Sequence, residues 1–147
     1  MDLIERLEHA RDETLAYFDL PEDALACRYG PDKWSVRFLL HHLADAETVL
    51  NDRIRRVLSE PRGVIWAFDQ DAWARGLDYE HLPLHLSRDI FRALREGIIH
   101  LARTHLPEKA DLEFVHSTMG VRTLGQEFEK VAEHNEHHLA QIALALR

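Results

Sequence analysis

The chain has 147 residues, 46% hydrophobic and 30% charged, and carries a net charge of −8 from 18 Lys and Arg against 26 Asp and Glu. That balance reads as a folded chain forming one domain over 1–147, neither disordered nor fibrous, and its negative charge makes nucleic acid an unexpected partner. No run approaches the ~18 apolar residues of a membrane span, and the charged start MDLIERLEHARDE lacks the apolar core of a secretion signal.

In chain order, Leu3, Ile4, Leu7, Thr14, Leu15 and Phe18 recur at three-and-four spacing and predict a helix over 2–18. Pro21 and Gly30-Pro31 break the connector that follows. It holds Cys27, the single cysteine, which permits no internal disulfide and fits a reducing, cytoplasmic setting. Ser35 is a good N-cap for a second helix running to Ser59, before Pro61, with a stripe of Val36, Leu39, Leu40, Leu43, Ala46, Leu50, Ile54 and Leu58. Such a helix is roughly 35 Å long. The basic RIRRV at 53–57 reads as its solvated face.

Residues 61–86 show no sustained period and form a long crossover containing Trp66, Phe68 and Trp73. These rings and Trp34 read as core and crossover packing, with a pocket wall as the other option. A third helix is expected after Ser87 as N-cap, burying Ile90, Phe91, Leu94, Ile98 and Leu101 and ending before Pro107. A less regular stretch over 107–122 leads to a fourth helix opened by the capping box Thr123-Leu124-Gly125-Gln126. No strand periodicity is visible. The expected fold is all-α, a four-helix bundle with a long crossover between helices two and three.

Advancing about 100° per residue sorts the histidines of the fourth helix, HNEHHLAQI at 134–142. His138 falls within the apolar stripe beside Ile142, His134 lies one turn earlier on the same side, and His137 sits at the solvent boundary. Inward His134 and His138 alone fit buried core histidines as well as a metal. The second helix adds His42, on the edge of the stripe, whereas His41 points to the opposite side. Three imidazoles from two helices make a ligand set suited to Zn²⁺, with Ni²⁺ or another transition metal as alternatives, and leave a coordination position open. The His-Glu-x-x-His pattern of zincins is absent because Asn135 follows His134. A di-iron bundle needs two Glu-x-x-His pairs on long helices, and the one here, Glu113 to His116, lies in the irregular stretch. His81 and His85 flank Pro83 and read as loop residues.

KWSVRFLLHHLADAE at 33–47 and AEHNEHHLAQI at 132–142 resemble the DinB-like superfamily, also called DinB/YfiT-like metalloenzymes. FDQDAWA in the crossover and HSTMGVRTL before the last helix extend the likeness over most of the chain. The resemblance implies a four-helix bundle holding a divalent metal on one histidine of helix two and two of helix four. By position these are His42, His134 and His138, the three that rotation selects.

An open three-histidine metal supports two chemistries. One lowers the pKa of a bound water for hydrolysis. The other binds and deprotonates a thiol for transfer. The resemblance implies both, since relatives include bacillithiol- and mycothiol-type S-transferases and hydrolases. The expectation is a metal-dependent enzyme acting on a small molecule, with S-transfer of a low-molecular-weight thiol slightly ahead of hydrolysis. A non-catalytic metal-binding or small-ligand-binding stress-response module is the alternative from another class, and pairing into a homodimer fits bundle relatives. No dedicated general base stands out. Asp45, Glu47, His116 and His137 are the candidates for partners of the ligands or proton carriers, with a structural role favoured for each. A basic recess would favour a carboxylate-bearing thiol, and a strong acid or base beside the metal would favour hydrolysis.

Overall fold

The computed structural model describes residues 1–147, and three of the four long helices start at a side-chain cap. Helix α1 (Leu3–Tyr17) opens with a capping box in which the Asp2 carboxylate accepts from the Glu5 amide and Glu5 accepts from the Asp2 amide. After the single turn α2 (Glu22–Leu25), the Ser35 hydroxyl accepts from the Phe38 amide and starts α3 (Val36–Ser59). Helix α6 (Leu124–Ala145) opens with the expected Thr123/Gln126 box.

The third long helix, α5 (Leu84–Lys109), overruns its expected limits at both ends. Ser87 does not cap it, because the Ser87 hydroxyl is taken by His41 Nδ1 at 2.6 Å, and Pro83 occupies the N-cap instead. His85 therefore belongs to α5, not to the crossover. Pro107 lies inside the last turn, where its missing N–H costs one ladder bond and the helix ends within three residues.

The crossover holds the two-residue strand β1 (Val64–Ile65) and the short helix α4 (Gln70–Gly76), capped by Asp69. Residues 107–122 contribute a hairpin, β2 (Glu113–His116) and β3 (Gly120–Thr123), with Gly120 at φ +76° in its turn. β1 pairs in parallel with β2 (Val64 opposite Val115) and β2 pairs antiparallel with β3 (Val115 opposite Val121). This sheet contradicts the expectation of no strands. Its outward face carries Val64, Val115 and Val121 and its inward face Phe114 and His116, so hydrophobicity does not alternate along the strand.

α3 packs on α5 and α6, and α1 packs on the same two helices from the other side. The consecutive helices α1 and α3 thus occupy opposite corners of the bundle. One apolar cluster fills the sheet end around Ile54, Ile98, Phe114 and Phe128, and a second fills the other end around Val36, Leu40, Phe91 and Ile142. No helix is long and apolar enough to cross a membrane.

Between the clusters lies a fully buried polar network. Arg95 of α5 ion-pairs with both Glu47 carboxylate oxygens (2.5 and 3.0 Å), and donates to Asn135 Oδ1 (2.8 Å) and the Leu7 carbonyl (3.1 Å). Its guanidinium lies 5.0 Å from the Phe91 ring centre, and Asn135 donates onward to the Thr14 hydroxyl (3.0 Å). All four long helices contribute. Glu47 therefore serves the bundle's closure. Arg53, expected on a solvated face, is also buried, donating to Glu127 (3.3 Å) and to the Trp66 carbonyl (2.9 Å), which ties the crossover to α3.

Candidate metal centre

His42 lies on α3, and His134 and His138 lie one turn apart on α6, so the α3–α6 packing brings all three rings together. His42 Nε2 stands 3.0 Å from His134 Nε2, which stands 3.1 Å from His138 Nε2. The three ring centres are 4.5–4.9 Å apart. Trp34 packs edge-on to His42 at 5.3 Å, and Phe68 stacks on it at 6.0 Å. His42 and His138 are buried and His134 partly so.

This arrangement fits a cation better than it fits a hydrogen-bonded histidine cluster. A neutral imidazole nitrogen carries either a proton or a lone pair. His134 Nε2 therefore cannot make linear hydrogen bonds to both neighbours, whereas one ion accepts a lone pair from each. Ligands about 2.0–2.1 Å from a tetrahedral Zn²⁺ lie about 3.3–3.4 Å from one another, close to the two separations from His134, and the three ligand atoms all lie within 4.8 Å of one another. The protonation states agree. Burial, reinforced by the neighbouring imidazoles, pushes His42 down to about 3 and His134 down to about 2. Burial also lowers His138, opposed by its hydrogen bond to Gln141. All three rings are neutral at pH 7, with lone pairs to give.

The model of the DinB superfamily matches residues 6–142. The chain belongs to the DinB superfamily. Two proteins of Oceanobacillus iheyensis, provisionally named metal-dependent hydrolases, are 33% and 32% identical to it over 86% and 84% of this chain and 73% and 72% of their own lengths. A Bacillus cereus protein with the same provisional name is 27% identical over 95% of this chain and 80% of its own length. Among solved structures, Bacillus subtilis YfiT, described as a provisional metal-dependent hydrolase with an unusual four-helix bundle topology, superposes with a TM-score of 0.86. It is 25% identical, with 96% of this chain and 82% of that chain covered.

In this DinB-superfamily chain, His134 and His138 border a recess of about 430 Å³ whose walls include Asp32, Lys33, Trp34, Asp71, His137 and Gln141, while His42 lies fully buried behind them. Of the four sequence-chosen proton carriers, only exposed His137 lines it. Asp45 accepts a hydrogen bond from the Tyr79 hydroxyl, and burial raises its pKa against that bond. Glu47 is held by Arg95. His116 is buried at the hairpin, its Nδ1 accepting the Thr118 and Met119 amides at 3.2 Å. His41 points away from the centre as expected, yet it is buried, packed against Tyr79 and held by Ser87. Trp34 and Phe68 wall His42, while Trp66 is 74% exposed, outside any core.

Sequence reasoning missed Asp32, Lys33, Asp71 and Gln141. The first three reach the recess from the connector before α3 and from α4, where no periodicity announces direction. Gln141 had a signal: it sits three residues after His138, one turn along the same face.

Proposed function

We propose that this chain is a metal-dependent hydrolase of the DinB superfamily, acting on a small molecule at a divalent metal held by His42, His134 and His138. The observation that carries this reading is the convergence of three neutral Nε2 atoms, two of them on rings that line an open recess. A divalent ion held there supplies Lewis acidity, polarising an electrophile and lowering the pKa of a bound water toward ~7. The imidazoles leave one side of the centre facing the recess, which is where a substrate enters. Trp34 and Phe68 pack against the buried His42 ring and shield it from water. Asp32, Asp71 and His137 line the recess as groups able to carry a proton.

The lining also bears on thiol S-transfer, the competing reading. Apart from the ion itself, the walls carry two carboxylates against the single ammonium of Lys33, so the protein supplies no basic recess to recognise a thiol bearing several carboxylates. This supports hydrolysis ahead of transfer.

The test loads the purified chain with Zn²⁺ or Ni²⁺, measures metal content, and assays a panel of activated esters and amides beside thiol conjugation to a chlorinated fluorogenic probe. The expected result is one metal per chain and hydrolysis that a chelator abolishes, both lost in His138→Ala. Thiol conjugation without hydrolysis overturns the hydrolase reading in favour of transfer. Stoichiometric metal with neither activity points to a binding module instead.

A further inference from the structure

The three rings differ in how their outer nitrogens are held. His42 Nδ1 is buried without a hydrogen-bond partner, and His134 Nδ1 makes no hydrogen bond to the protein. His138 Nδ1 alone is gripped, 2.7 Å from Gln141 Oε1. The other end of the same amide, Gln141 Nε2, stands 3.2 Å from His137 Nε2. Oriented this way, the amide accepts from His138 Nδ1–H and donates to the His137 lone pair. His138 is thereby left with a bare Nε2 directed at His134 and His42.

Reversing the amide makes an equally continuous chain of hydrogen bonds with the opposite outcome. The NH₂ group then donates to His138 Nδ1, the ring proton moves to Nε2, and an N–H points into the centre where a lone pair is needed. The two amide orientations therefore correspond to a ligating and a non-ligating tautomer of His138. We infer that Gln141 is a positioning residue for the metal centre, fixing His138 as the Nδ1–H tautomer and thereby setting the affinity of the site for its ion. The inference rests on the metal-dependent reading above and names a side chain outside the ligand set that tunes it.

Two further features favour the role. Gln141 and His138 share a helix face one turn apart, so the contact follows from α6 itself and requires no loop to close. A neutral amide also holds the ring without placing a negative charge against it, so the cation's charge is not offset from behind the ligand, as it is when a carboxylate does this task. Gln141 also lines the recess beside His137, so a substrate that hydrogen-bonds either residue acts on the ligand tautomer directly.

The experiment measures Zn²⁺ affinity by competition with a chromophoric chelator for the parent, Gln141→Met, Gln141→Glu and His138→Ala. Imidazole ¹⁵N–¹H spectra of the metal-free proteins read the tautomers. Gln141 is only partly buried, and circular dichroism confirms the fold of each variant. Gln141→Met is expected to bind 10- to 100-fold more weakly, the usual effect of losing an outer partner of a ligating histidine, and to show His138 with Nε2–H populated. Gln141→Glu, which can only accept, is expected to restore the Nδ1–H tautomer and parental or tighter binding. Parental affinity in Gln141→Met with His138 still Nδ1–H overturns the inference and leaves the metal site standing. A parent that binds no Zn²⁺, no tighter than His138→Ala, overturns both.

Discussion

Two polar inclusions sit side by side in the same bundle, and they are built on opposite plans. In the Arg95 network the guanidinium bonds Glu47, Asn135 and the Leu7 carbonyl, and Asn135 bonds Thr14. At the histidine centre three nitrogens face one another with more lone pairs than protons to fill them. The two are neighbours in sequence, since Asn135 follows His134 and both Glu47 and His42 are on α3. A buried polar group that is internally paired closes a fold, and a cluster of lone pairs facing one another has the chemistry to hold a cation. The same helices do both tasks because residues on adjacent faces, 100° apart, look into different compartments of the bundle.

Removing one member of the closed network should have the largest effect. Arg95→Met strands the Glu47 carboxylate in an apolar interior and should cost about 3–5 kcal/mol in urea unfolding. The double change Arg95→Met with Glu47→Leu should recover most of that loss, and a single substitution costing under ~1 kcal/mol would show that the pair is not buried as described. The open centre should behave in reverse. Saturating Zn²⁺ at about 100 times its Kd should stabilise the parent by about 2.7 kcal/mol, and His138→Ala should show no such gain in a thermal melt.

Next in size comes pH. The folded-state pKa values of His42 and His134 lie below the ordinary 6.5, so the unfolded chain binds more protons between about pH 6.5 and about pH 3. Each ring then makes the metal-free protein less stable as pH falls through that window, by up to ~1.4 kcal/mol per pH unit, and contributes nothing above it. Comparing urea midpoints of parent and His42→Ala from pH 7 to pH 4 isolates one ring, and parallel curves for the two would remove the electrostatic account. The smallest expected effect lies outside both inclusions. Thr123→Ala removes the α6 cap and should cost about 1 kcal/mol, with metal affinity unchanged.

The convergence of the histidines was easier to read from the sequence than the closed network, for a physical reason. Histidine on an apolar stripe is conspicuous, and rotation about a straight helix carries over to three dimensions, so His42, His134 and His138 were legible, as were the four bundle helices. Arg95 and Arg53 were not. A lone arginine in a helical pattern looks solvated, and only tertiary packing brings Glu47 or Glu127 to meet it. The hairpin was hidden because Val115 and Val121 face outward while His116 faces in. The start of α5 was misjudged because the Ser87 hydroxyl is engaged by a distant histidine.

The diagonal placement of α1 and α3 has a consequence for synthesis. Arg6 of α1 bonds Glu129 and Glu136 of α6, and Leu7 meets Arg95 of α5, so α1 finds its main partners among residues made much later. As the chain leaves the ribosome, its first helix must wait, amphipathic and unaccompanied, until nearly all the rest has emerged.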